Sequence, residues 1–192
     1  MKENINYKNI YYPPGGILIW IIILLELLTF GIALIAMVVS SKSNPEVYHS
    51  SRLMLNSTYG VINTLFLLTG GFFMAEAVRF IKKNNLTKAS FYTAIAILSG
   101  ISFLILKGVE YYEKIEHGIG LEYNSFFTFY WLLTGFHVVH VMVGVIILAF
   151  MYKGLKSVKS PISPESFETG AHFWHMVDLI WLLLFPLLYL IF

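Results

Sequence analysis

The chain contains no cysteine and few charged residues. Without cysteine it cannot form a disulfide framework, a thiolate metal site, a thiol nucleophile or a covalently attached c-type haem. Charged residues make up 12% of the 192 residues, against about 25% in an ordinary globular domain. The 13 Lys and Arg and 11 Asp and Glu are too balanced and too scattered for a nucleic-acid-binding protein. Most of the surface must therefore face something other than water.

Apolar residues, 57% of the chain, fall into five long runs, and the mean hydropathy is +0.72. A helix needs about 20 mostly apolar residues to cross a bilayer. The strands of a membrane barrel would alternate apolar and polar residues, and residues 17–25 do not alternate. The sequence therefore predicts an all-α, polytopic membrane bundle, with residues 1–192 in a single domain. Five transmembrane helices are expected at about residues 16–40, 57–80, 89–111, 125–152 and 170–192.

The distribution of Lys and Arg predicts the orientation of this bundle. Cytoplasmic loops of membrane proteins are enriched in these two residue types. With the N-terminus in the cytoplasm, the cytoplasmic segments hold nine Lys and Arg residues and the opposite side holds three. The sequence therefore predicts a cytoplasmic N-terminus and a C-terminus on the outer side.

Glu26 lies ten residues into the first predicted span, among apolar neighbours on both sides. A charge at the centre of a membrane helix costs about 2.5–3.5 kcal/mol on insertion scales, so this carboxyl requires an explanation. One interpretation is a protonated or paired carboxyl that holds two helices together. The other is a proton-exchanging group that serves a function. The sequence alone leaves both open.

The fourth and fifth predicted spans carry polar side chains three residues apart, a spacing that places them on one helix face. Histidine pairs can ligate haem or copper, but a pair on one helix suits haem poorly, and no Cys, Met pair or acidic cluster joins them. A hydrogen-bonded network between helices without metal is the favoured interpretation, with His137 and His140 as partners of Glu26. The predicted network comprises Glu26, His137, His140, His172, His175 and Asp178.

The third predicted span closes on residues 110–113, which read Glu-Tyr-Tyr-Glu. We interpret this segment as a solvated helix end with interfacial tyrosines. Lys107 lies one turn earlier and can reach Glu110 or Tyr111. The sequence therefore predicts a helix-end polar cluster of Lys107, Glu110 and Glu113.

Basic and aromatic residues near the span ends are candidates for lipid contact. Lys153 and Lys156 follow the fourth span and suit anionic headgroups. Arg79 lies three residues after Glu76, which is typical of a local ion pair with a snorkelling arginine. Trp174 in the last span can also hold lipid. The candidate headgroup contacts are therefore Arg79, Lys153, Lys156 and Trp174.

The sequence contains no Gly-rich phosphate loop, nucleotide motif, nucleophile elbow or zinc motif, so we predict no catalytic residue and no metal ligand. A stand-alone proton-coupled carrier that uses Glu26 is one alternative. Such a transporter is expected to show a broken helix or an inverted repeat, and neither pattern is visible.

Three segments and one buried carboxyl resemble a known family. Residues 134–141 read TGFHVVHV and are similar to the "TGFHxxHV" helix of subunit III of haem-copper terminal oxidases. Residues 167–182 resemble the last helix of that subunit, and residues 110–113 match its "EYYE" segment. Glu26 falls where the family carries a membrane-buried glutamate. The matches keep the family's order and spacing, so the chain is similar to the family over residues 16–192.

The resemblance implies a non-catalytic accessory subunit that packs on subunit I, alongside subunit II, in the inner membrane of a bacterium. It implies that haem and copper belong to the partner subunits, that phospholipid is bound, and that the chain supports proton uptake and catalytic stability. A cytochrome c oxidase is the first expectation, with a quinol oxidase or a nitric-oxide reductase as the alternative. The chain departs from the longer family members in two features. Those members have seven helices where this chain has five, and they often have an aromatic residue at the position of His172.

Overall fold

A computed structural model describes residues 13, 16–157 and 161–192 of the chain. These residues form six α-helices and no strand, and five of the helices are long and apolar enough to cross a membrane. The prediction of an all-α bundle with five apolar spans is confirmed, whereas the orientation of the termini stays a prediction. The helices are α1 (Ile17–Ser43), α2 (Pro45–Leu53), α3 (Ser57–Lys82), α4 (Leu86–Glu116), α5 (Ser125–Lys156) and α6 (Pro164–Pro186), and α6 continues into a π-helical turn (Leu187–Ile191).

The membrane helices are longer than the apolar runs from which they were predicted. α6 begins at Pro164, ahead of the predicted residue 170, because the Ser163 hydroxyl accepts a hydrogen bond from the backbone N–H of Ser166. α4 begins at Leu86, where the side chain of Asn85 caps the backbone N–H of Lys88. Polar caps and polar first turns extend the helices beyond the hydrocarbon, and hydropathy does not register them.

The short helix α2 joins α1 to α3 and was not predicted. Pro45 occupies its first turn, where a missing N–H costs nothing. Its Ser51 hydroxyl accepts a hydrogen bond of 2.8 Å from the side-chain amide of Asn124. The ammonium of Lys114 donates at 2.6 Å to the carbonyl of Met54, just beyond the helix. Polar contacts therefore fasten α2 to the end of the bundle.

α6 lies at the centre of the bundle, in contact with α1, α3 and α5, while α3 and α4 form a closely packed antiparallel pair. Trp174 of α6 is fully buried. Its indole packs against Gly70 of α3, Gly100 of α4 and Gly144 of α5. A Cβ added at Gly100 would lie 2.6 Å from the indole ring. Small residues allow such close approach in membrane bundles. A single indole therefore sets the spacing of α3, α4 and α5.

α1 lies at the outside of the bundle and packs on α5 and α6. It buries only Ile19, Phe30 and Met37. Most of its other large apolar side chains are exposed, with Leu18 and Leu24 each 69% exposed. This helix therefore presents an apolar flank that lipid or another membrane chain can cover.

Candidate functional site

The two ends of the bundle differ in charge. One end carries residues 83–85, 157 and 161–163 between helices, together with Lys82, Lys83, Lys88, Lys153 and Lys156, and is called the lysine-rich end. The opposite end carries α2 and residues 117–124. Most of the predicted network and helix-end residues fall into three separate groups within the described part of the membrane helices.

The first group is a buried cage around Lys107. Lys107 and Glu110 are 1% and 0% exposed, and Lys107 Nζ lies 2.9 Å from Glu110 Oε2. The ammonium also donates to the hydroxyls of Tyr130 and Tyr189, at 3.2 and 2.8 Å. Both hydroxyls in turn donate to Glu110 Oε1, at 2.8 and 2.6 Å. All three N–H groups of the ammonium therefore have an acceptor, which is the condition for a stable buried ion pair.

The cage corrects the expectation of a solvated helix end at residues 110–113. α4 continues to Glu116, so Glu110 lies inside the helix and faces α5 and the last turn of the chain. Glu113 does not join Lys107; it accepts a hydrogen bond of 2.6 Å from the hydroxyl of Tyr59 on α3. The structure therefore brings Lys107 and Glu110 together and places Glu113 at a different helix contact.

The second group is Glu26 with His140, on the facing sides of α1 and α5. Glu26 Oε2 lies 3.3 Å from His140 Nε2. His140 Nδ1 lies 2.8 Å from the carbonyl oxygen of Phe136, which can only accept, so Nδ1 carries a proton. In the neutral ring Nε2 is then an acceptor that faces a carboxyl oxygen. Glu26 Oε2 makes no hydrogen bond within the described residues, and one proton placed between it and His140 Nε2 would supply that bond and leave the pair without net charge.

His137 does not join this pair, contrary to the expectation that both histidines of α5 meet Glu26. It is fully buried, and its ring stacks on Trp181 at 5.3 Å and meets the edge of Phe103 at 5.6 Å. Among the described residues, neither of its ring nitrogens has a hydrogen-bond partner. The two histidines share a broad face of α5 but point about 60° apart, so His137 meets Phe103 of α4 and Trp181 of α6 while His140 meets α1.

The third group lies on α6 near the lysine-rich end. His175 Nδ1 lies 3.8 Å from Asp178 Oδ2, and His172 packs against Trp20 of α1 with ring centroids 5.6 Å apart. Within the described residues, no hydrogen bond or ion pair joins this group to Glu26 or His140. The structure therefore divides the predicted network into the Glu26–His140 pair, the group on α6 and His137, which joins neither.

Glu168 and Lys82 belong to the third group and were missed as site residues. Lys82 Nζ of α3 lies 3.1 Å from Glu168 Oε1 of α6. Glu168 is four residues before His172, so helical periodicity along α6 was a signal that could have found it. Nothing in the sequence indicated Tyr189 as a partner of Lys107, because that contact depends on how α4 meets the last turn.

The candidate lipid contacts differ in position. Arg79 is exposed and pairs with Glu76 at 3.1 Å. Lys156 donates to the Tyr152 hydroxyl beside a groove of about 400 Å³ between α4 and α5. Lys153 lines a second groove, of about 650 Å³. Trp174 is different: the structure places it in the core, because the three glycines around it leave room for the indole between helices.

A metal site needs several ligand side chains gathered around one ion. In residues 13, 16–157 and 161–192, no three His, Asp or Glu side chains lie close enough to hold one ion. The groups instead pair carboxyl with ammonium or carboxyl with imidazole. Such pairs can hold helices together and can bind and release protons.

Comparison with known proteins gives a consistent result. The family model described as cytochrome c oxidase subunit III matches residues 52–191. Cytochrome c oxidase subunit 3 of Corynebacterium diphtheriae is 27% identical over 177 residues, which cover 89% of this chain and 85% of that protein. Cytochrome bo(3) ubiquinol oxidase subunit 3 of Buchnera aphidicola is 27% identical over 90% of this chain and 91% of that protein. Heme-copper oxidase subunit I+III of Aeropyrum pernix is 28% identical over 90% of this chain and 22% of that protein.

Proposed function

Because this chain belongs to the cytochrome c oxidase subunit III family and is an accessory subunit of a haem-copper oxidase, we propose that it packs on subunit I and supports proton uptake and catalytic stability there. The family match over residues 52–191 is the observation that carries this proposal. The Aeropyrum relative, whose name joins subunits I and III, supports direct contact with subunit I.

The geometry of the bundle agrees with an accessory role. α1 offers an apolar flank, and Glu26 with His140 lies on the side of α1 that faces α5. A shared proton keeps this pair uncharged, so it can stabilise the contact between the two helices within hydrocarbon. The proposed chemistry of oxygen reduction therefore belongs to haem and copper in the partner subunits, and this chain contributes packing and polar groups.

The remaining partners follow from the same family membership. We propose that subunit II belongs to the complex and that phospholipid binds at the lysine-rich end, where Lys156 borders an apolar groove. The bacterial relatives and the excess of Lys at one end support an inner-membrane location with that end in the cytoplasm.

For the electron donor we propose cytochrome c, with a quinol as the alternative. The cytochrome c oxidase and ubiquinol oxidase relatives are each 27% identical to this chain, so identity does not separate the two. Oxygen uptake by the purified complex, driven by reduced cytochrome c or by a quinol, distinguishes these donors. Consumption of nitric oxide in place of oxygen would identify a nitric-oxide reductase.

The proposal is tested by purification from native membranes in mild detergent, with an affinity tag on this chain. We expect haem-bearing chains to co-purify, with haem spectra and copper in the preparation. When this chain is separated from its partners, elemental analysis is expected to find no stoichiometric iron or copper on it. A chain that purifies alone without haem and moves a substrate with protons in liposomes would instead be a carrier, and the accessory role would be wrong.

A further inference from the structure

A cavity opens between α3 and α6 at the lysine-rich end of the bundle, and titratable side chains interrupt its mostly apolar lining. Its volume is about 280 Å³. At its mouth the ammonium of Lys82 pairs with the carboxylate of Glu168 at 3.1 Å, and the Lys82 side chain is 63% exposed. The lining includes Ala75, Val78 and Lys82 from α3 and Glu168, His172 and His175 from α6.

Three titratable side chains of α6 line this cavity, and a fourth, Asp178, lies next to His175 toward the middle of the membrane. Glu168, His172, His175 and Asp178 are spaced by four, three and three residues, which keeps them on one helix face. At a rise of about 1.5 Å per residue, the row covers about 15 Å along the helix. The membrane-crossing segment runs from Pro164 to Ile191, so Asp178 lies near its midpoint. The row therefore leads from the lysine-rich end to mid-membrane.

Asp178 at the end of the row lacks a full set of partners. It is 7% exposed, and among the described residues its Oδ1 has no hydrogen-bond partner. Its Oδ2 has His175 Nδ1 at 3.8 Å, which is longer than a hydrogen bond. A carboxyl at the bilayer centre costs about 2.5–3.5 kcal/mol on insertion scales, and buried polar groups are almost always hydrogen-bonded. This oxygen therefore requires a partner that the described residues do not supply.

The packing opposite Asp178 keeps space for the carboxyl. Gly71 of α3 faces it, and a Cβ added there would collide with Asp178 Oδ2. The cavity does not suit an anion such as a phosphate, because Lys82, the one cationic side chain among its described lining residues, already pairs with Glu168. Water fits both facts, since it needs little space and can donate to a carboxylate.

We propose that this cavity is a water-filled inlet through which Asp178 exchanges protons with the aqueous phase at the lysine-rich end. Each imidazole of the row can take a proton from water on one ring nitrogen and release one from the other, so atoms and charge balance at every step. The inlet would supply a route for the proposed support of proton uptake, so its functional role rests on the proposed function. Whether the cavity contains water does not depend on that function. His172, at a position where the family often has an aromatic residue, is part of the row.

Because the chain has no cysteine, one introduced thiol is unique within it and reports whether water reaches its position. The test variants are Asp178→Cys and Ala171→Cys, whose positions lie on the row and in the cavity lining. Leu179→Cys is the matched control, because Leu179 follows Asp178 on the same helix and is 44% exposed on the apolar side. The assembled complex in native membranes is treated with a charged methanethiosulfonate reagent, and the mass of this chain is measured.

The thiolate, which forms where water is present, attacks the sulfur of the charged methanethiosulfonate reagent and displaces methanesulfinate. We expect the thiols at positions 178 and 171 to react roughly tenfold or more faster than the thiol at 179. Equal, slow reaction at all three positions in an assembled complex would mean a dry cavity and would overturn the inlet. If Asp178→Cys prevents assembly, Ala171→Cys and Ala75→Cys decide the question against a Phe72→Cys control, since Phe72 is 61% exposed on α3.

The proton-exchange part has its own test. Asp178→Asn keeps the size of the side chain but cannot bind and release a proton. We expect proton uptake per haem during turnover to slow by about twofold or more, while the haem spectrum is unchanged. Unchanged uptake together with fast labelling at 171 would leave a hydrated cavity and refute proton exchange. Labelling does not depend on oxidase activity, so a failed co-purification would refute the proposed function without deciding the inlet.

Discussion

At the scale of single residues, the Glu26–His140 pair requires a hydrogen-bond donor on the Glu26 side. The Nδ1–H of His140 is committed to the carbonyl of Phe136, so Nε2 needs a hydrogen-bond donor from the opposite side. A protonated carboxyl is such a donor, and so is a primary amide. This allows the role of the carboxyl as a proton carrier to be separated from its role as a hydrogen-bond partner.

The first prediction is that Glu26→Gln preserves assembly and most oxygen reduction, because the amide N–H can replace the shared proton. Glu26→Leu is expected to lower the yield of assembled complex, because it leaves His140 Nε2 without a donor at a cost of about 1–3 kcal/mol. The measurement is oxygen uptake per haem in purified complexes. Complete loss of turnover in a fully assembled Glu26→Gln complex would show that the carboxyl lies on an obligatory proton path.

The second prediction concerns the Lys107 cage. Lys107→Met leaves the Glu110 carboxylate buried without its cation, which is expected to destabilise the chain by about 3–5 kcal/mol. The matched variant Lys107→Met with Glu110→Gln removes both charges and is expected to recover part of that loss. Resistance to limited proteolysis in mild detergent measures both. Equal stability of Lys107→Met and the native chain would contradict a buried, charged pair.

Sequence reasoning predicted some of these residues and missed others for a physical reason. Counting from helix ends gave the depth of Glu26 and His140, because a rigid helix fixes depth along the membrane. It did not give the direction of His137, because which neighbour a helix face meets depends on packing between distant segments. The contacts of Lys107 with Tyr130 and Tyr189 join residues 23 and 82 positions apart, and no local pattern encodes them.

At the scale of helices, apolar composition was sufficient to find five spans and insufficient to find where they end. α4 and α6 extend into polar sequence because Asn85 and Ser163 cap them, and hydropathy does not record capping. α2 is short and polar, so the sequence made it look like a loop. The apolar spans are determined by the need to face lipid, whereas the helix caps and α2 are determined by local hydrogen bonds.

The third prediction tests the glycine packing of α4. Gly100→Ala is expected to destabilise the chain by about 1–3 kcal/mol, because its Cβ would lie 2.6 Å from the ring of Trp174. Gly108→Ala is the matched control on the same helix, since a Cβ there meets nothing within 4 Å. It is expected to be neutral or stabilising by up to about 1 kcal/mol through helix propensity. The thermal midpoint of the detergent-solubilised complex measures both, and an equal response of the two variants would contradict this account.

At the scale of the whole molecule, the charge asymmetry of the two ends predicts a fixed orientation. Lys83→Cys at the lysine-rich end is expected to resist a membrane-impermeant thiol reagent added outside intact cells. Glu122→Cys at the opposite end is expected to react. Mass shifts of this chain provide the measurement, with disrupted cells as the control in which both react. The reverse pattern would place the N-terminus outside.

The packing of Trp174 against Gly70, Gly100 and Gly144 affects how the bundle can adjust to bilayers of different thickness. Three helices that touch one rigid ring cannot slide past one another without displacing it, so they respond to a thinner or thicker membrane by tilting together. α1 lies outside that three-helix contact and is held from one side only. Adjustment to membrane thickness should therefore concentrate at α1, the helix that carries Glu26.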